Sequence, residues 1–217
     1  MDSYNPGLNR ASSSFDQRHI LSFSYVWDLP FFKNPGFANK VLGGWEYSGI
    51  ATFSTGFPFS VITAADNAGV GNGISSSASF ADIVGNPNSG TVQVPLTGSL
   101  QGFGPLLYNP NAYAAPRGLT FGDSGRDSLR NPNRTNFDMS LFKHFKFTER
   151  LGMEFRAEAY NVFNHKEWGY LAGDAGSAAY NSGNLTSATN QSGQDNFLHI
   201  ATAHNPRILQ LGLKLMF

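Results

Sequence analysis

Apolar residues recur at every second position in five stretches of this chain, with polar residues in the alternate places. In the C-terminal segment 207–217, Leu209, Leu211, Leu213, Leu215 and Phe217 share one side, while Gln210, Gly212, Lys214 and Met216 share the other. A period of two predicts a β-strand with one apolar face. The stretch at about 19–29 sets Leu21, Phe23, Tyr25, Trp27 and Leu29 against Ser22, Ser24, Val26 and Asp28, and Pro30 closes it because it cannot donate to a ladder. At about 44–62, Trp45, Tyr47, Gly49, Ala51 and Phe53 oppose Glu46, Ser48, Ile50, Thr52 and Ser54, and the strand is expected to run on past a kink at Gly56 through Phe57, Phe59 and Val61.

Two further strands are predicted at about 136–147 and 151–163. The first sets Phe137, Met139, Leu141, Phe145 and Phe147 against Asn136, Asp138, Ser140, His144 and Lys146. In the second, Leu151, Met153, Phe155, Ala157, Ala159 and Phe163 oppose Glu154, Arg156, Glu158 and Tyr160. Leu151, Phe155, Ala159 and Val162 would also suit a helical stripe. The period of two and the short connection through Thr148, Glu149 and Arg150 favour a strand and a hairpin.

The rhythm is absent from two long polar stretches, about 64–135 and 165–205, in which only Thr91–Val94 suggests a short strand. Length without pattern on this scale is uncommon in a compact soluble domain. The expectation is an all-β fold, an antiparallel meander of about five to eight long strands with long loops. Composition agrees: 14% aromatic, 14% charged, 24 Gly and 11 Pro fit strands joined by many turns. Acidic and basic residues balance at 15 each, so no basic footprint points to nucleic acid. With zero Cys there is neither a disulfide framework nor a thiolate metal site. No apolar run is long enough for a spanning helix, a test that β-barrels escape because their strands alternate. The start Met1-Asp2-Ser3-Tyr4 does not have the basic then apolar form of a signal peptide.

A strand as apolar as 207–217 invites aggregation in water, so its apolar face is expected to meet lipid, as part of an incomplete section of a transmembrane β-barrel. The connections near 30–42 and 148–150 fall on the side where the chain finishes, and both long stretches fall on the other. Short periplasmic turns and long extracellular loops are the outer-membrane arrangement. Trp27, Trp45, Tyr47, Phe145 and Phe147 gather towards the short-turn rim, as an aromatic girdle would. The lumen face would carry Asp138, Glu154, Arg156, Glu158 and Lys214, and a salt-bridge ladder on a wet wall accounts for the alternating signs of Glu154, Arg156 and Glu158. Lys143 is discordant, since alternation assigns it to the lipid face; snorkelling or a bulge would relieve it.

Three segments carry a resemblance. Residues 133–145 (NRTNFDMSLFKHF), 154–165 (EFRAEAYNVFNH) and 206–217 (PRILQLGLKLMF) resemble the C-terminal end of TonB-dependent outer-membrane receptors, most closely the Oar-like branch in which a carboxypeptidase-regulatory-like domain precedes plug and barrel. Arg18-His19 and Gly44-Trp45 fit the same pattern. The resemblance implies localisation in the cell outer membrane and energised ligand uptake. It also implies a C-terminal signal for the barrel-assembly machinery at Gln210, Gly212, Leu215 and Phe217. The implied partners are outer-membrane lipid, that machinery, the plug and N-terminal barrel strands of a whole receptor and, through the plug, the TonB complex. Such receptors have a signal sequence, an energy-coupling box, a plug and a barrel of twenty-two strands. The chain is therefore expected to be a C-terminal part that does not transport alone.

Other chemistries have weaker support. Gly122-Asp123-Ser124-Gly125 is similar to a serine-protease nucleophile segment, but Arg126 follows it and Ala203-His204 comes after the serine, so a Gly-rich turn is the better account. Ser140 and Lys143 have a Ser-x-x-Lys spacing that needs a helix, whereas a strand puts them on opposite faces. Asp66, Asp123 and Asp127 do not follow a calcium-loop pattern, and the 5 His are scattered. No catalytic residue, metal site or cofactor is expected. Two rivals remain open: a secreted soluble β-sandwich for binding or adhesion, and a small porin-like barrel with further strands hidden in 64–135.

Overall fold

A computed structural model describes residues 4–31, 36–62, 68–69, 79–89, 105–169, 198, 200 and 202–217. Thr91–Val94, Asp66 and most of the 165–205 stretch lie outside the described residues. The chain divides into two compact units. One comprises His19–Ser54, Arg134–Glu167 and His204–Phe217; the other comprises Met1–Arg18, Thr55–Asn133 and Trp168–Ala203.

The first unit is a five-stranded antiparallel sheet built from β1 (Ile20–Asp28), β2 (Trp45–Ser54), β7 (Arg134–Lys146), β8 (Gly152–Tyr160) and β9 (Ile208–Met216). Their order is β1-β2-β7-β8-β9, so sequence neighbours within the sheet are also spatial neighbours, as in a meander. The sheet is open, with β1 and β9 as its edges among the described residues. Its register pairs odd residues only with odd and even only with even: Trp27 with Tyr47, Tyr47 with Leu141, Leu141 with Ala157, and Ala157 with Leu211. A slip of one residue in any strand would turn its apolar side over. The five apolar faces thus make one surface.

Three sequence expectations change here. The strand expected at 44–62 ends at Ser54. Beyond it, a Cβ on Gly56 would fall on the Asn131 carbonyl oxygen, and only a glycine lets the two backbones come so close. The chain then enters the other unit, where β3 (Pro58–Phe59) pairs with β6 (Leu129–Arg130). The strand expected at 151–163 is a strand and not a helix, but it stops at Tyr160. Asn161 and Asn164 take positive φ of 49° and 50°, which short polar side chains tolerate and a strand does not. Asn161 locks this exit: its Nδ2 donates to the carbonyls of His165 (3.0 Å) and Asn205 (3.3 Å), and its Oδ1 accepts from the His165 N–H (2.9 Å). Finally, the connection between β1 and β2 contains an α-helix, α1 (Phe37–Leu42), that no periodicity announced.

The second unit has a dry core made of short pieces. Phe59, Val61, Ala81, Ala112, Tyr113, Leu129 and Leu198 are buried together, with Leu106, Leu107 and Tyr108 packed against them. Besides β3 and β6, a ladder joins β4 (Asp82–Ile83) to β5 (Tyr113–Ala114). Polar side chains close the gaps between pieces. Asp127 accepts from the hydroxyls of Ser60 (3.2 Å) and Ser14 (3.1 Å), and Arg130 Nη1 donates to the carbonyls of Asp16 and Gly56, both at 3.1 Å. Arg130 Nη2 meets the Asp16 carboxylate, which holds that carboxyl below its usual range. Burial pushes the Tyr113 phenol up to about 12. The Gly122–Gly125 segment is a turn of this unit, in which the Ser124 hydroxyl donates to the Val61 carbonyl (3.0 Å) and Asp123 accepts from the Ile83 N–H (2.7 Å).

Candidate functional site

The two faces of the five-stranded sheet are the candidate site, because alternation gives them opposite chemistry. On the even face, Arg156 lies between two acids of its own strand, with Nη2 2.8 Å from Glu154 and Nη1 4.0 Å from Glu158. Cross-strand register adds His144 and Lys214 opposite Glu154, and Ser140 and Gln210 opposite Glu158. His144 Nδ1 is 4.0 Å from Glu154, and the Tyr160 hydroxyl donates to Glu158 at 3.3 Å. The Arg156 guanidinium also sits 5.3 Å from the centre of the Phe142 ring, on whose edge His144 packs at 4.6 Å. Asp138 accepts from Asn136 Nδ2 and from the Asn161 N–H, each at 2.9 Å. Half of the Arg156 side chain is exposed, so its pairs contribute at most about 1 kcal/mol of stability. Their consequence is a fixed stripe of charge along the even face.

The odd face is apolar apart from Lys143 and mostly exposed. Leu209, Leu211, Leu213 and Leu215 are between 59 and 74% exposed, and Leu21, Phe23 and Trp27 are exposed as well. Among the strand residues of this face, only Ala51 and Lys143 are buried. A shallow apolar groove of about 320 Å³ runs over Ala157 and Ala159 between Met139 and Leu141 on one side and Leu209 and Leu211 on the other. Next to it the Tyr25 hydroxyl donates to that of Tyr47 (3.1 Å), whose own hydrogen bond goes to Met139 Sδ (2.8 Å). Gly49 makes room for this pair, since a Cβ there would come within 2.6 Å of the Tyr25 hydroxyl and 2.7 Å of the Asp138 carbonyl oxygen.

The expected site residues fall as follows. Asp138, Glu154, Arg156, Glu158 and Lys214 share the even face, and register brings Lys214 opposite Glu154. Trp27, Trp45 and Tyr47 stand close together where β1 meets β2, and the Trp45 ring packs edge-on against Phe155 at 5.9 Å. Phe147 lies just beyond β7, where its ring stacks on Phe145 at 6.4 Å. Gln210 and Gly212 pair with Glu158 and Arg156, Leu215 pairs with Met153, and Phe217 follows the end of β9 fully exposed.

Lys143 is the residue whose partners the sequence did not disclose. The ladder runs through it without a bulge, pairing it with Trp45 and Phe155. Its ammonium group instead reaches the end of α1 and donates to the carbonyls of Val41 (2.7 Å) and Gly43. Backbone acceptors carry no sequence signal, so only the discordant charge on an apolar face pointed to it.

Residues 1–210 match the family model of an outer membrane beta barrel domain. No curated protein and no solved structure matches the chain.

Proposed function

The chain belongs to the outer membrane beta barrel domain family, and from that premise we propose that it forms wall, lumen face and outer loops of a TonB-dependent receptor that takes up a ligand across the outer membrane. The observation that carries the proposal is the single parity of the sheet: one largely apolar face, whose single charge is Lys143, backs one face striped with charge. A wall between lipid and a wet lumen needs that division. Nine strand residues, as in β9, rise roughly 23 Å when tilted by about 40°, close to the apolar band of such barrels. The sheet connections Leu29–Gly44 and Phe147–Leu151 are short, while the chain leaves at Ser54 to return at Arg134 and leaves at Tyr160 to return at Ile208. Long excursions on one rim suit the outer side of the membrane. The receptor assignment, beyond a membrane barrel, rests on the resemblance of segments 133–145, 154–165 and 206–217. In this role the two open edges pair with further strands of the receptor, since an unpaired edge in hydrocarbon costs several kcal/mol per group, and no catalytic step is involved.

Fractionation of cells expressing the chain in its receptor tests the assignment. The protein should sediment with outer membranes, resist salt and alkaline extraction, and co-purify in detergent with plug-bearing polypeptide; uptake by the receptor should stop when the proton-motive force is collapsed. Recovery in the soluble fraction without detergent overturns the membrane role, and uptake that persists in de-energised cells overturns energised transport.

A further inference from the structure

Lys143 is the one charged strand residue that alternation places on the odd face, and it is only 2% exposed. Its Nζ lies 5.3 Å from the centre of the Trp45 ring and 4.7 Å from that of Phe145, while donating to the Val41 and Gly43 carbonyls. These carbonyls are among those that the last turn of a helix leaves without intrahelical partners. A cation is favoured there both as a donor and by the sign of the helix dipole. A side chain rooted in the odd face reaches them only if the end of α1 overhangs that face. The end of α1 therefore lies on the apolar side of the sheet, beside the rim marked by Trp45, Phe145 and Phe147.

What α1 presents outward is also apolar. Phe37 is 82% exposed, and Val41 and Leu42 are exposed as well. Phe37 and Val41 stand four residues apart and so share a stripe, and Lys40 is exposed within the last turn. Taking the barrel role proposed above as given, we propose that α1 is an interfacial anchor. It lies along the phospholipid headgroup layer at the short-turn rim, with Phe37 and Val41 among the upper acyl chains and Lys40 towards lipid phosphates. Lys143 tethers it to the barrel wall. The occupant is lipid because the helix continues a surface that already faces lipid, and because apolar stripe, cation and neighbouring aromatic rings are the composition that partitions to that layer. Lys143 thereby gains acceptors near a membrane interface, where an ammonium in a barrel wall costs less than at the midplane.

The chain has no Cys, so single cysteines carrying an environment-sensitive fluorophore report cleanly. The receptor carrying this chain, with any cysteine outside it replaced by serine, is purified from outer membranes and reconstituted in phosphatidylethanolamine and phosphatidylglycerol vesicles with Phe37→Cys, Lys40→Cys or Leu211→Cys labelled. A probe at 37 should be quenched by phospholipid brominated high on its acyl chain and spared by iodide, whereas one at 40 should be quenched by iodide. The probe at 211 serves as the control for the barrel role. Lipid quenching at 211 with iodide quenching at 37 overturns the anchor alone. Shielding of 37 from both quenchers also overturns it, in favour of a protein partner. Iodide quenching at 211 overturns the barrel role and the anchor with it. Adding Lys143→Met should leave the 211 probe unchanged and cut lipid quenching at 37 by about two-fold or more as the helix lifts away; unchanged quenching at 37 overturns Lys143 as the tether.

Discussion

The two units treat their apolar residues in opposite ways. In the unit with little regular structure, Phe59, Val61, Ala81, Ala112 and Leu129 are buried, as they would be in any domain folded in water. In the unit with the long strands, leucines stand exposed in a row along β9. Since burial from water drives the first arrangement, the second makes sense only where the surroundings are apolar themselves. Secondary structure is thus a poor guide here to which unit resembles a soluble protein. The irregular one has the core, and the regular one has the exposed apolar face.

The sharpest way to break this contrast is to attack the dry core. Phe59→Ala should destabilise the second unit by about 3 to 5 kcal/mol. Limited proteolysis in vesicles should then cut within 55–133 while β7, β8 and β9 stay protected. Simultaneous loss of the sheet would show that the two are not separable. Next in size, Leu211→Arg should lower the stability of the membrane-inserted protein by about 2 to 4 kcal/mol, read from reversible denaturant unfolding in lipid vesicles. The same substitution would be nearly harmless to an exposed leucine in water, so a neutral result would remove the distinction between the units.

Smaller still is Arg156→Met, which leaves Glu154 and Glu158 without their shared cation on a wet face. Stability should change by less than about 1 kcal/mol, whereas the ion preference of any conductance through the assembled barrel should shift towards cations. A large stability loss would mean that the even face is packed and dry. The smallest effect concerns pH. The hydrogen bond from Arg130 lowers the Asp16 carboxyl, so its contribution is complete above the ordinary carboxylate range and is lost as pH falls through the lowered value. Asp16→Asn should remove that acid limb from a proteolysis profile of the second unit and leave the sheet unaffected.

The sheet was legible because a strict period of two is written five times over, and register then had only one parity to choose. The dry core was not legible. Its pieces are two-residue strands such as Pro58–Phe59 and Leu129–Arg130, too short to show a period and assembled from residues far apart in sequence. Alternation alone extends β2 past Gly56, because Phe57, Phe59 and Val61 continue the pattern; the close approach of the Asn131 carbonyl to Gly56 redirects them into that core. Helix α1 leaves no mark in the sequence because it is short and its first turn has no side-chain cap. For the candidate site, the polar stripe of Glu154, Arg156 and Glu158 could be read off directly, whereas the partners of Lys143 are main-chain carbonyls that no residue identity encodes.

The central claim is that the odd face of the sheet meets lipid while the even face meets water. Spin labels placed singly from 208 to 215 in the reconstituted protein measure this most directly, through collision with oxygen, which concentrates in lipid, and with a water-soluble nickel chelate. Labels at 209, 211, 213 and 215 should collide mainly with oxygen, and labels at 210, 212 and 214 mainly with nickel, alternating residue by residue. Odd positions open to nickel, or shielded from both reagents by protein, would contradict the account.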